Sequence, residues 1–477
     1  LELFKRRKEL LGGKTMEKVS RLFSPKDMTE GTPWKRIVEF SIPMLIGNIA
    51  QLFYNTADSI IVGKYVGDNA LAAVGSASPI LNLLLVLFVG ISTGAGIMVS
   101  QYFGAKERNK LSHTIGACIT LTALASVIIM FIGPLVTRPL LNFLNTPASI
   151  IDWCADYLVI YYVGIAGLAY YNILAGVLRG MGDSVSALVF LLISTVLNVG
   201  LDILFVAVFN MGVPGVALAT IIAQGISAIL CIAKLARMKH TFDFNIKMLK
   251  PHKEYVSRLI KLGLPSGLTQ GIFSIAMIVV QSLTNSFGEM VIACNVIVMR
   301  VDSFAMMPNF TFGVAMTTYA GQNIGAKKID RVTRGTKDGT IIAIAVSAVI
   351  TVLILIFGRF LMGVFTDTSE LVDLSMHMMR ILAIGYIAMA VTQSLSGVMR
   401  GAGDTMTPMW ISLITTVILR VPIAYGIAYF TRSAAYPTGR PESTFISLLV
   451  SWTLGAIITT VFFKRGKWRN KGFAGDD

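Results

Sequence analysis

The chain has 477 residues, 54% of them hydrophobic and only 14% charged, against about 25% charged in an ordinary soluble domain. That balance excludes a soluble enzyme or a disordered chain and fits a polytopic membrane protein. The net charge of +15 would suit nucleic acid, but its distribution along the chain argues for topology instead.

In chain order, residues 1–35 read as a cytoplasmic amino tail. Its opening, "LELFKRRKELLGGKT", is polar and basic, carries no cleavable signal pattern, and leaves Met16 as a natural start. "GGKT" at Gly12–Thr15 is not a phosphate loop, because the required upstream glycine is replaced by Lys8. Twelve apolar segments follow, each long enough to cross about 30 Å of hydrocarbon: 36–63, 70–101, 112–136, 154–178, 186–209, 212–236, 257–287, 290–321, 338–363, 374–398, 407–430 and 443–463. They divide into an amino-terminal lobe (36–236) and a carboxyl-terminal lobe (257–463). A cytoplasmic linker (237–256) joins the lobes, and a second tail (464–477) follows. The fold class is all-α, with twelve transmembrane helices in two six-helix bundles.

Of the 41 Lys and Arg, most fall in the two tails and in the loops after even-numbered spans. Only Lys64, Arg138, Arg359, Arg380, Arg432 and Arg440 lie in the alternate loops and their helix ends, and Arg300 and Arg420 lie deep inside spans. The positive-inside rule puts both termini in the cytoplasm. Nucleic acid is not an expected partner; the bilayer and small organic molecules are, with a monomer as the working unit. The four cysteines and four histidines are scattered, and no resident metal or cofactor is expected.

The chain repeats itself. "GVLRGMGDS" at Gly176–Ser184 recurs as "GVMRGAGDT" at Gly397–Thr405, and "QYFGAKERNK" from Gln101 recurs as "QNIGAKKIDR" from Gln322, both at an offset of 221 residues. Pro43 and Pro265 are one residue off the same register. Six spans per half make this a parallel repeat, an arrangement found among secondary transporters. The Arg and Asp of the twin "RG-x-GD" segments are expected to cap helix ends and pair with each other, a structural use in a moving hinge, with substrate contact as the alternative. The matched prolines are expected to open or kink spans 1 and 7.

Two acids lie away from the ends of spans in the first half, Asp58 and Asp202. Gln51, Tyr54 and Asp58 share one helical face, as do Ser194, Asn198 and Asp202, and Thr220, Gln224 and Ser227. Polar residues at such depth serve as helix–helix glue, but glue does not require a charge, and carboxylates in a membrane helix mark function. Asp58, Asp202, Asn198 and Thr220 are therefore the candidate cation site, for either H⁺ or Na⁺. Gln51, Tyr54, Asn172 and Gln224 are candidate cavity-lining residues. In the second half, span 7 holds no acid. Asp302 is expected to form a buried ion pair with Arg300 or Arg420, with a second coupling or substrate site as the alternative. Met306, Met307 and Met316 with Phe304, Phe310 and Phe312 are most simply core, with a pliable apolar cavity as the other reading.

The paired "GVLRGMGD" and "GVMRGAGD", "NTADSIIVG" in span 1 and "GQNIGAKK" after span 8 resemble the multidrug and toxic compound extrusion (MATE) family, over roughly Trp34 to Phe463. The resemblance implies two lobes in a V around a central cleft and antiport of H⁺ or Na⁺ against organic, often cationic, compounds. It implies no catalytic residues and a place in the inner membrane of a bacterium or archaeon. Within the branch whose ion site lies in the amino-terminal lobe (DinF-like or a relative), the pattern falls on Asp58, Asn198, Asp202 and Thr220, with Tyr54 nearby. Another branch relies on an acid in span 7, which this chain lacks. The alternative functions are a flippase for a lipid-linked oligosaccharide or other lipid and, more distantly, a membrane-embedded enzyme.

Overall fold

The computed structural model describes residues 24–144, 146–243 and 245–473; the "GGKT" segment lies outside them. The described chain is helical. Ten helices are long and apolar enough to cross a membrane, and two bent helix pairs raise the number of spans to twelve. Spans 1 to 3 are Pro33–Tyr65, Asp68–Gly104 and Arg108–Phe143. Span 4 is Ile151–Val163 with Ile165–Gly180, span 5 is Ser184–Asp202 continued by a π-helical turn at Ile203–Val208, and span 6 is Gly212–Arg237. Spans 7 to 9 are Lys253–Asn285, Glu289–Gly325 and Ile329–Gly363. Span 10 is Ser369–Ala383 with Gly385–Gly401, span 11 runs through Met406–Leu413, a π turn at Ile414–Leu419 and Arg420–Phe430, and span 12 is Glu442–Lys464. Long helices are the expected solution, because hydrocarbon offers no partner to a free backbone amide.

Two expectations need correction. Pro43 and Pro265 do not open spans 1 and 7, since both lie inside unbroken helices; the breaks come instead in spans 4 and 10, bent by 55° and 43°. The Arg and Asp of the twin "RG-x-GD" segments do not pair. Asp183 caps span 5 by accepting from the Ser186 amide (2.9 Å) and hydroxyl (2.7 Å), and its charge partner is Lys234 at 3.6 Å. Asp404 does the same for Thr407, at 3.2 and 2.8 Å. Met306, Met316 and Phe312 are buried in the packing of the second half, as the simpler reading has them, while Phe304 and Phe310 are exposed.

The repeat is written into the backbone. Positive φ occurs at Gly67 and Gly288, Lys106 and Lys327, and Gly182 and Gly403, each pair again 221 residues apart. At Gly182 and Gly403 the left-handed turn also brings a tail carbonyl close, from Lys26 and Lys471 respectively; a Cβ there would meet both strain and a clash.

The two halves meet along glycine-lined seams. Gly90 and Gly94 of span 2 pack on Gly263 and Gly267 of span 7, where a Cβ at either span 2 position would come within 2.8 Å of backbone. Gly104 faces the Gln322 carbonyl, and Gly325 faces that of Gln101. Gln101 donates to the Gly401 carbonyl (2.8 Å) and accepts from the Phe473 amide (3.1 Å). Gln322 donates to the Gly180 carbonyl (3.1 Å) and accepts from the Met28 amide (2.8 Å). Each glutamine thus holds the opposite half and one chain tail. The linker docks on span 3, with the Thr120 hydroxyl donating to the Leu249 carbonyl at 2.7 Å and Arg108 pairing with Asp243 at 2.6 Å. These contacts gather at the end that carries both tails. Toward the other end Leu83 of span 2 is 72% exposed and Phe304 of span 8 is 51% exposed.

Candidate functional site

Spans 1, 4, 5 and 6 build the site. Span 5 places Asn198 and Asp202 one turn apart on its buried face, both at 0% exposure. Asp202 is the last residue before the π turn, a distortion that recurs at functional positions in helices. Span 1 brings the half-buried Asp58 opposite, and the two carboxyl groups face each other within hydrogen-bonding range. Asn198 lies between them and span 6. In the orientation that satisfies its neighbours, its amide nitrogen donates to Asp58 at 3.3 Å and Asp202 at 3.1 Å, and its oxygen accepts from the Thr220 hydroxyl and amide at 3.2 and 3.3 Å. Thr220 is also reached by the Tyr54 hydroxyl at 3.4 Å and bonds back to the Val216 carbonyl at 3.1 Å.

Two like charges about 4 Å apart repel by roughly 4 kcal/mol even at an effective dielectric constant of 20. A carboxyl pair in contact is therefore stable only when a proton or a metal cation lies between the oxygens. Asp202 Oδ1, Gln224 Oε1 and Ser194 Oγ are buried without a protein partner, which leaves oxygen lone pairs in the same bundle for such an ion or its water. The donor set of carboxylates, an amide oxygen and a hydroxyl suits a hard cation.

The four residues read from the sequence as a cation site therefore come together. Of the four lining candidates, Tyr54 joins the site directly. Gln224 is buried on span 6, and Gln51 lies half-buried on span 1. Asn172 lies half-buried on span 4, its amide donating to the Leu168 carbonyl of its own helix at 2.8 Å. Tyr161, which the sequence reading did not single out, hydrogen-bonds Thr220 and Tyr157, and the two tyrosine rings lie 5.0 Å apart. Nothing in their apolar surroundings marked these span 4 tyrosines; only the fold turns them toward the acids.

The second half departs from its expectation. Asp302 makes no close ion pair with Arg300 or Arg420, although Arg420 lies near enough for the two charges to attract; Asp302 faces the Tyr386 hydroxyl of span 10. Arg300, two residues earlier on the same helix, projects from a different face and is exposed. Arg420, 6% exposed and with its Nε unpartnered, lines a small cavity with Gln281, Thr284 and Asn295. Among the described residues no three His, Cys, Asp or Glu side chains are placed to share a metal. His113 and His252, far apart in sequence, do converge near the linker, with rings 4.6 Å apart.

Two stretches of the chain, residues 43–204 and 265–426, each match the MatE family model, one in either half. The probable multidrug resistance protein YpnP of Bacillus subtilis is 30% identical over 443 residues, covering 93% of this chain and 97% of that protein. YoeA of the same organism, also described as a probable multidrug resistance protein, is 28% identical over 426 residues, covering 87% and 92%. A solved structure described as the outward-facing conformation of a multidrug resistance MATE family transporter of the MOP superfamily superposes with a TM-score of 0.85 at 22% identity, covering 93% of this chain and 98% of that one. With a family match over most of its length and in both repeats, this chain belongs to the MATE family of multi-pass membrane transporters.

Proposed function

We propose that the chain is a secondary active multidrug exporter that exchanges inward-moving H⁺ or Na⁺ for organic, often cationic, compounds. The observation that carries this reading is the Asp58–Asp202 carboxyl pair, held by Asn198 inside the first bundle. Such a pair gains a proton or Na⁺ on one side of the membrane and loses it on the other. The Asn198 amide fits either occupant. With its nitrogen toward the acids it supports a shared proton. With its oxygen toward them it adds a ligand to a metal ion while its nitrogen donates to Thr220 at 3.2 Å. Names borne by similar proteins, such as multidrug resistance protein YpnP and multidrug export protein MepA, support the choice of cargo.

The lobes 36–236 and 257–463 rock as units about the linker 237–256. On the positive-inside reading the tail-bearing end, where the halves meet, faces the cytoplasm with both termini, and the cleft opens outward. The membrane is the inner membrane of a prokaryote. The protein acts as a monomer without catalytic chemistry, and nucleic acid is not a partner. Cargo and ion weaken each other's binding, as linkage requires of an exchanger.

The test is transport of a fluorescent organic cation by the purified protein in liposomes, with a pH gradient and a Na⁺ gradient imposed separately. Cation movement driven by one of them, and absent from Asp202→Asn, is expected. Movement indifferent to both gradients overturns the coupling.

A further inference from the structure

We propose that a cavity around Arg400 in the carboxyl-terminal half recognises one anionic group, a carboxylate or a phosphate-type oxyanion, on the transported molecule. The cavity lies between spans 7, 10, 11 and 12; it is small, about 40 Å³, and partly open, room for one small group rather than a whole molecule. Its wall includes Thr269, Gln393, Ser396, Thr416 and Trp452 around Arg400, and no carboxylate. Among the described residues Arg400 has neither an ion pair nor a hydrogen bond from its guanidinium. Arg400 is half-buried; a charge drawn out of water is ordinarily paired, and here the protein supplies no partner. Span 8 packs against this wall through Gly313, where a Cβ would lie 3.4 Å from both the Arg400 guanidinium and the Gln393 amide oxygen. A guanidinium with hydroxyls and an amide nearby is a donor set for planar or tetrahedral oxyanions.

Arg179, the repeat counterpart of Arg400, has a different setting, beside Tyr171 and Cys231. Farther along the same half, Arg420 lines the second small cavity, but it feels the charge of Asp302. The amino half thus offers an acid pair and the carboxyl half offers Arg400, an arginine without an acid. A molecule with a cationic and an anionic end matches both. Its identity as cargo rests on the export reading above. The binding measurement below does not involve transport, so failure of either leaves the other standing.

The probes are tetramethylrhodamine, which has a free carboxylate, and its methyl ester, which lacks that charge. Binding to the full-length protein in detergent is followed by fluorescence anisotropy. The wild type is expected to bind the free carboxylate tighter by roughly tenfold or more, the worth of a charged hydrogen-bonded pair. Arg400→Gln is expected to erase the preference and Arg400→Lys to keep part of it. Equal affinities in the wild type, or a preference that survives Arg400→Gln, overturn the proposal. Should Arg400→Gln fail to fold, the wild-type preference and its reduction in Arg400→Lys still decide. Inorganic phosphate and short-chain phosphatidylglycerol, with phosphatidylcholine as control, are then added as competitors. Displacement that requires Arg400 supports the site and shows whether a free anion or an anionic lipid headgroup reaches it. Displacement that is unchanged in the Arg400 variants overturns it.

Discussion

Asp202 is the residue on which the first bundle turns. It is fully buried, it touches a second acid, and one of its oxygens has no protein partner. Replacing it with Asn keeps the shape and removes the charge. Because either substitution removes one of two like charges in contact and so relieves their repulsion, Asp202→Asn and Asp58→Asn should unfold at or above the wild-type temperature in detergent. Both should nevertheless lose resistance to a toxic organic cation in a susceptible host. Full resistance in both variants would remove the acids from the mechanism. The acids, Asn198 and Thr220 were legible in the sequence because polar residues at helical spacing stand out against apolar spans. Tyr161 was not, and Arg400 stood out only as part of the repeated motif. An aromatic in an apolar run looks like any core residue, and an arginine near a turn looks like a cap or a headgroup contact until its partners are known.

At the scale of the helix, the sequence showed where the spans lie but not how they bend. Twelve apolar runs were readable from length and composition alone. The bends in spans 4 and 10 carry no proline. Span 4 breaks at Gly164, where a Cβ would meet the Ile221 side chain of span 6, and Gly385 of span 10 is packed in the same way against Trp452. Those breaks depend on close approach between helices distant in sequence, which periodicity does not encode. The caps that open spans 5 and 11 are local, and their energetics can be compared. Asp404→Ala removes a cap and should cost about 1 kcal/mol. Asp183→Ala should cost more, since it also strips Lys234 of the carboxylate 3.6 Å away. Thermal unfolding of the two variants side by side gives the difference, and an equal loss would mean that Lys234 contributes nothing through Asp183.

Across the whole molecule, the repeat places two glutamines in mirrored duty. Gln322 holds the Met28 amide and Gln101 holds the Phe473 amide, while each also bonds a glycine carbonyl of the opposite half. The two substitutions should therefore act crosswise on hydrogen exchange. Gln322→Ala is expected to speed exchange around Met28, and Gln101→Ala around Phe473, with the double variant loosening both. Uniform protection in all three would show that the tails are held by other contacts. The 221-residue offset made the duplication plain, but not that the matched glutamines face each other's half. That required the lobes to be assembled.

The seam between the halves is closed by glycine packing and amide-to-carbonyl bonds, and where cations take part, as Lys328 and Arg331 do, they bond neutral carbonyls of Thr29, Met28 and Glu30. The ion pairs of the described residues fall within one half or between span 3 and the linker. Ionic strength therefore has little to screen there, and the shut end should stay as tightly shut in concentrated brine as in dilute buffer.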